Sequence, residues 1–452
     1  MKRPLLSGLL CLAAFSLLFL LVLVAADFFL VDTDSVAALT IREMQQADDI
    51  ELAVVGSSVV RDHFNQQMIR EKTGLSSFSV TAPGAGFQTF AAITEEMYKR
   101  NRPELLCLVL EPYNFNTARE DPEPSYKLMP WLTGIGTRLR YYVANAKIDG
   151  YWLDRALIFR DFPARTLNAF LKTVRMHIDP FGTFKKIQED LEDVRYMGRG
   201  FLRHEGQSDL GAVIREQMLA ETDTGYDYPL LPESKEMLLS YRDSVEAHGT
   251  RFMVIISDNH TTHALAEPDY LRYMQHLMDF CAENGIECYN LYFAKEEFLP
   301  NLDSYFYDLY HMTGEGADLE TEAFCRLLNA VRAGEDVSAW FYEKTWQYRE
   351  SITWITNTWV HPAGDGVFTA GCNTGSMVTP QYRFSRIAPD GSRTLLKDWS
   401  QEKAVQAALA DGENLLVEAR LLEHPEQEPA TFRYPDDYGY AEEHADRYEP
   451  LL

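Results

Sequence analysis

Positive charge is scarce in this sequence. Its 452 residues carry 42 Lys and Arg against 68 Asp and Glu, a formal net charge of −26. A field of that sign repels phosphate backbones and anionic headgroups, so a direct nucleic-acid role is excluded. No basic stripe stands out to argue otherwise. Cysteine is sparse as well, with six residues in all. Cys107, Cys281, Cys288, Cys325 and Cys372 are scattered without the close pairing of a metal site. An odd number outside the N-terminal run leaves at least one unpaired, which excludes a disulfide scaffold. Cys281 and Cys288, seven apart, are placed to form one bridge. No internal repeat is visible.

Long uncharged apolar stretches are also rare, which makes the first one informative. Lys2 and Arg3 precede a run from Pro4 to about Ala26, and the next charge is Asp27. About 20 apolar residues span a hydrocarbon core, whereas a cleaved signal has an apolar region of about 7–15. The length favours an uncleaved signal anchor over residues 1–30, with cleavage near Ala25–Ala26 as the alternative. The basic flank puts the N-terminus inside and the bulk of the chain outside the cell membrane, as a single-pass protein.

What remains reads as a globular protein, with 46% hydrophobic and 24% charged residues. Its length calls for at least two domains. ELAVVG, FSVTAPG, ELLCLVL, TRFMVIIS and ECYNLYF are short apolar runs separated by helical patterns. That alternation predicts an α/β domain with a parallel sheet over residues 31–334. Residues 116–230 break the rhythm and read as a mostly helical insertion or lid. Residues 335–435, rich in Trp, Tyr, Thr and Ile, read as a β-sandwich module with a hairpin at Asp390–Gly391. Residues 436–452 form an acidic tail.

The stretch AVVGSSVVRDHF, residues 53–64, ends a buried strand in Gly56 and two hydroxyls, Ser57 and Ser58. A helical pattern follows and stops near Gly74. The serines therefore sit at a strand-to-helix turn, on the edge where open α/β sheets bind ligands. Either serine also suits a helix N-cap. A serine nucleophile needs a base, an orienting carboxylate and donors for the oxyanion. Asp308 and His311 stand three apart in a loop after the last predicted strand. A loop can fold so that Asp308 accepts from one imidazole nitrogen while the other faces outward.

Gly56-Ser57-Ser58, the glycines after the second strand, an asparagine after the third and Asp308-x-x-His311 together resemble the SGNH (GDSL-type) hydrolases. The likeness is nearest to their membrane-anchored bacterial branch, which includes the teichoic-acid D-alanylation and the alginate and peptidoglycan O-acetylation proteins. It covers residues 50 to 330 without the insertion. The resemblance implies a flavodoxin-like three-layer domain. It implies Ser58 as nucleophile, with Ser57 where the family has aspartate, His311 as base and Asp308 as its orienter. The oxyanion hole would comprise the Ser58 backbone N–H, Gly84 or Gly86, and Asn114. EPYN sets Asn114 four residues past the strand end, without the glycine of the family's third block.

Other polar residues compete for roles. SDNHTTH places Asp258, His260 and His263 at a strand end, with spacing that fits no strong metal template, so no metal is expected. That loop, His260 in particular, is expected to line the cleft or touch substrate. Arg61 is a candidate for an anionic substrate group, or else a solvated arginine. His63 is a rival base for Ser58, or else a histidine at a surface or core edge, and Glu111 is an acid/base at the sheet edge, or else a salt-bridge partner. YRFSRIAPDGSRTLLKDW with DGENLLVEAR resembles the three-tyrosine immunoglobulin-like domain, although Gly412 is followed by Glu-Asn-Leu where that domain has a tyrosine. Trp346, Trp354 and Trp359 either stack on sugar rings or fill the sandwich core.

The expected function is an extracytoplasmic serine esterase or O-acyltransferase. It would act on acyl esters, acetyl foremost, of a cell-surface glycan or related envelope polymer, without a cofactor. The resemblance also implies a polytopic membrane O-acyltransferase as partner. The alternative is a non-catalytic scaffold or binding subunit of an envelope-modifying complex.

Overall fold

A computed structural model describes residues 2–32, 35–111, 113–116, 128–149, 160, 163–189, 194–205, 229–266, 268–308 and 310–435. The expected acidic tail, 436–452, and residues 206–228 of the insertion lie outside them. The protein is mixed α/β, with a five-stranded parallel sheet and a separate antiparallel β region. The chain divides into two compact units, residues 1–205 with 231–254, and residues 206–230 with 255–452.

The N-terminal run is a single helix, α1 (Lys2–Leu30). Its segment Ser7–Leu30 is long and apolar enough to cross a membrane, and its most apolar 18-residue window has no buried residue. A second helix, α2 (Ser35–Gln46), leads into β1 (Leu52–Gly56). The helix expected from Ser58 to Gly74 is two, α3 (Ser58–His63) and α4 (Gln66–Thr73). Asn65 divides them, because its side chain accepts from the Met68 N–H and so caps the second. Then come β2 (Ser77–Thr81), α5 (Phe87–Tyr98) and β3 (Leu105–Leu110).

Every residue of β1, β2 and β3 is buried. That is why β1 and β3 read as unbroken apolar runs, whereas β2 alternates Ser, Phe, Ser, Val and Thr although it is equally buried. The sheet order is β2-β1-β3-β6-β7, with β6 at Arg251–Ile256 and β7 at Glu287–Asn290. β1 lies between β2 and β3, so the strand order reverses beside it. In doubly wound sheets, ligands bind at the carboxyl ends of the strands flanking such a reversal.

After β3 comes α6 (Tyr113–Asn116), and the insertion then contributes α7 (Ile135–Asp149), α8 (Leu167–Ile178) and α9 (Pro180–Glu189). It also holds a hairpin that the helical reading missed, β4 (Val194–Gly198) with β5 (Phe201–His204). Gly198, Arg199 and Gly200 all have positive φ at its tip. The Arg199 carbonyl accepts from the Ser79 N–H at 2.9 Å, so the tip covers the edge strand β2. The first unit closes with α10 (Pro232–Ala247).

In the second unit, α11 (Thr261–Ala266), α12 (Pro268–Glu283) and α13 (Gly314–Ala333) precede the β region. WFYEKTWQYRESITW, expected within the β module, folds instead as a short 3₁₀ turn and α14 (Thr345–Ser351). Seven strands, β8 to β14, run from Ile355 to Tyr434 as a three-stranded and a four-stranded sheet. The expected hairpin at Asp390–Gly391 joins Pro380–Ile387 to Arg393–Ser400, with Gly391 at φ 82°. Trp359, Phe368, Tyr382, Phe384 and Phe432 fill one core there. Trp359 is thus a core residue, while Trp346 is exposed. None of the six cysteines is in a disulfide, Cys281 and Cys288 included, so the bridge their spacing allowed is not formed.

Candidate active site

The hydroxyl half of the candidate site lies in the first unit. Gly56 ends β1 where the backbone must turn hard into α3. A Cβ there would sit 3.1 Å from the Val109 carbonyl oxygen and collide with the Val60 side chain. Only glycine lets the serine turn pack this closely on β3. Ser57 is the N-cap of α3, with Oγ accepting from the Val59 N–H at 3.3 Å. The same hydroxyl donates to Glu111 Oε2, and the Ser57 carbonyl accepts from Thr81 Oγ1. Ser57 is 3% exposed. Its side chain is therefore committed to holding the turn. Ser58, the first residue of α3, is half-buried.

The other expected elements converge on Ser57. Glu111 follows β3, and its backbone N–H donates to Asn114 Oδ1 at 2.9 Å. Asn114 Nδ2 reaches back to the Ala85 carbonyl at 3.4 Å. Ala85 stands between Gly84, at φ 59°, and Gly86, the N-cap of α5. The Ser57–Ser58 turn, the Gly84–Gly86 loop and Asn114 thus form one linked cluster at the carboxyl ends of β1, β2 and β3. The Glu111 carboxylate accepts from the Ser57 hydroxyl. Thr81 was not anticipated. Its signal was a hydroxyl at the end of β2, in register with Gly56.

Arg61 and His63 do not face outward as free groups. The Arg61 guanidinium grips Asp62 with two bonds of 2.7 and 2.8 Å, and Asp62 is 1% exposed. A forked pair of this kind occupies the face that an anionic substrate would use. His63 is wholly buried, not at an edge.

The base half lies in the second unit, in a tight loop between Phe306 and Met312, which pair as an isolated bridge. The Asp308 carboxylate accepts from His311 Nδ1 at 2.8 Å, and from the backbone N–H groups of Tyr310 and His311 at 2.8 and 2.9 Å. Burial pushes this carboxyl up. The bond to His311, its charge and the two backbone donors outweigh that and hold it below its ordinary value. A charged Asp308 bound to Nδ1 fixes the tautomer that leaves Nε2 as the acceptor. Thr313 follows, capping α13 by accepting from the Gly316 N–H.

The SDNHTTH loop supports this hairpin. His260 is 5% exposed and its ring meets that of Phe306 edge-on at 5.6 Å. Its Nδ1 accepts from the Thr262 N–H at 3.2 Å. Burial lowers its pKa against the opposing pull of Asp303. His260 is thus buried and packed on Phe306. Asp258 does line a cavity of about 80 Å³, together with Thr261, Tyr292, Asn301, Tyr348 and Trp354. Burial, Glu320 and Asp303 push its carboxyl well above the usual range. Among the described residues no cluster of His, Cys, Asp or Glu has the arrangement of a metal site. No protein-family model matches the chain, and neither does any curated protein.

Proposed function

We propose that this protein is a membrane-anchored, extracytoplasmic serine esterase or O-acyltransferase of the SGNH type, acting on acyl esters of a cell-surface glycan. Ser58 attacks the acyl carbonyl and His311 takes its proton. Asp308 holds the imidazole. The oxyanion is received by the Ser58 N–H, the Gly84–Gly86 loop and Asn114. The acyl-enzyme passes to water in an esterase, or to a sugar hydroxyl in a transferase. No cofactor takes part, and a polytopic membrane acyltransferase is the partner that would supply or receive acyl groups.

The observation that carries this reading is the Asp308–His311 pair, with a charged carboxylate bonded to Nδ1. The serine turn beside the reversal in strand order supports it.

Intact mass of the full chain after fluorophosphonate treatment tests it. One adduct is expected, kept in Ser57→Ala and lost in Ser58→Ala and His311→Ala. An adduct lost only in Ser57→Ala would move the nucleophile to that hydroxyl. No adduct on the folded wild type would leave the non-catalytic scaffold as the better reading.

A further inference from the structure

Residues 135–186 run against the charge of the whole chain. They hold ten Lys and Arg (138, 140, 147, 155, 160, 165, 172, 175, 185 and 186) and four Asp (149, 154, 161 and 179), net +6 in a protein of −26. A basic stretch therefore exists, contrary to the first reading of the sequence. Arg140, Lys147, Arg175, Lys185 and Lys186 of this stretch are exposed.

The helices there also expose apolar stripes. On α7, Ile135, Leu139 and Val143 recur every four residues and are 85%, 59% and 39% exposed. On α8, Leu167 and Ile178 are eleven residues, or three turns, apart, and are 71% and 79% exposed. Both spacings put the side chains on one helix face. Exposed stripes of this size mark an interaction surface.

The exit of α1 is seated on the same helices. His177 of α8 stacks on Phe28 at 3.5 Å and on Trp131 at 4.1 Å. Its Nε2 bonds the Phe28 carbonyl at 2.8 Å. The Ala164 N–H donates to the Leu30 carbonyl at 2.7 Å, and Thr173 Oγ1 to the Val31 carbonyl at 3.0 Å. Lys172 pairs with Asp32 at 3.1 Å.

We infer that α7 and α8, with the basic end of α9, lie on the outer surface of an anionic membrane. This rests on the reading of α1 as a membrane span. Apolar stripes enter the headgroup boundary while Lys and Arg meet lipid phosphates, as on interfacial helices. The rest of the protein, at −32 (−26 less +6), is repelled from that surface, which fixes the orientation in which the site is presented.

The test uses the full chain in nanodiscs of phosphatidylcholine, with or without phosphatidylglycerol. An environment-sensitive fluorescent amino acid replaces Leu139, Ile178 or, as control, Met377 in the β region. Probes at 139 and 178 should shift to the blue and be quenched by brominated lipid, more so with phosphatidylglycerol; 377 should not. Reversing Arg140, Arg175, Lys185 and Lys186 to Glu should abolish the dependence on anionic lipid. Water-like emission at 139 and 178 in discs that retain the protein would overturn the surface proposal alone. Equal insertion in both lipids would overturn its electrostatic part. Failure of the chain to co-purify with discs would overturn the anchor reading and this inference together.

Discussion

The two serines differ most sharply in what their hydroxyls already do. Ser57 Oγ caps α3 and donates to Glu111, so Ser57→Ala should cost about 1 kcal/mol of stability and leave fluorophosphonate labelling intact. Urea unfolding beside the labelling assay separates the two effects. Asp308→Asn keeps the shape of the loop but reverses the tautomer preference of His311. Labelling should slow on the order of 10⁴-fold, and an unchanged rate would remove Asp308 from the machinery. A third residue prediction concerns His263. Burial, and then the neighbouring His260, push its pKa down to about 4. An unfolded histidine titrates near 6.5. Between those values the unfolded chain binds a proton that the native one refuses, so stability falls as pH drops from about 6.5 and levels off near 4. The loss is on the order of 3 kcal/mol. His177, also pushed down to about 4, adds to the slope with the same sign. Unfolding free energy at pH 7 and pH 4.5 should differ less in His263→Phe than in wild type; equal differences would refute the assignment.

At the scale of elements, the β1–α3 turn is the least forgiving place in the first unit. Gly56→Ala drives a methyl into Val60 and toward the Val109 carbonyl, so about 1–3 kcal/mol should be lost in urea unfolding. Labelling should fall with it, because the turn aims Ser58. The same turn shows why this much of the fold was legible. β1 and β3 are buried on both faces, so their apolar runs stand out, and Gly56 with two serines marks where the first one ends. Asp308-x-x-His311 was legible because its pairing is local and needs only one tight loop. The break at Asn65 was not, because Val59, Phe64 and Met68 keep helical spacing across it and a single side-chain cap decides the matter. The hairpin at 194–204 was hidden by its surroundings, although Gly198-Arg199-Gly200 is a turn signal in itself. The contacts of His260 and Arg61 were hidden for a common reason. Sequence shows a charge or a ring but not its partner, which is Phe306 for the one and Asp62 for the other.

For the whole molecule, charge and topology are one question. The chain is acidic overall, while residues 135–186 carry a net positive charge. An acidic body outside a cell stays clear of an anionic surface and of anionic polymers unless a local basic face holds it there. The proposed function requires Lys2 and Arg3 inside and everything after α1 outside. The exposed hairpin at Asp390 offers a direct check, since it lies far along the chain from any segment argued to touch lipid. In intact cells, a membrane-impermeant maleimide should modify Asp390→Cys fully, and lysis should add nothing. Modification only after lysis would put the β region, and with it the Asp308–His311 loop of the same unit, in the cytoplasm. There an esterase of envelope glycans would have no substrate, so that single result would end the functional proposal while leaving the serine chemistry open.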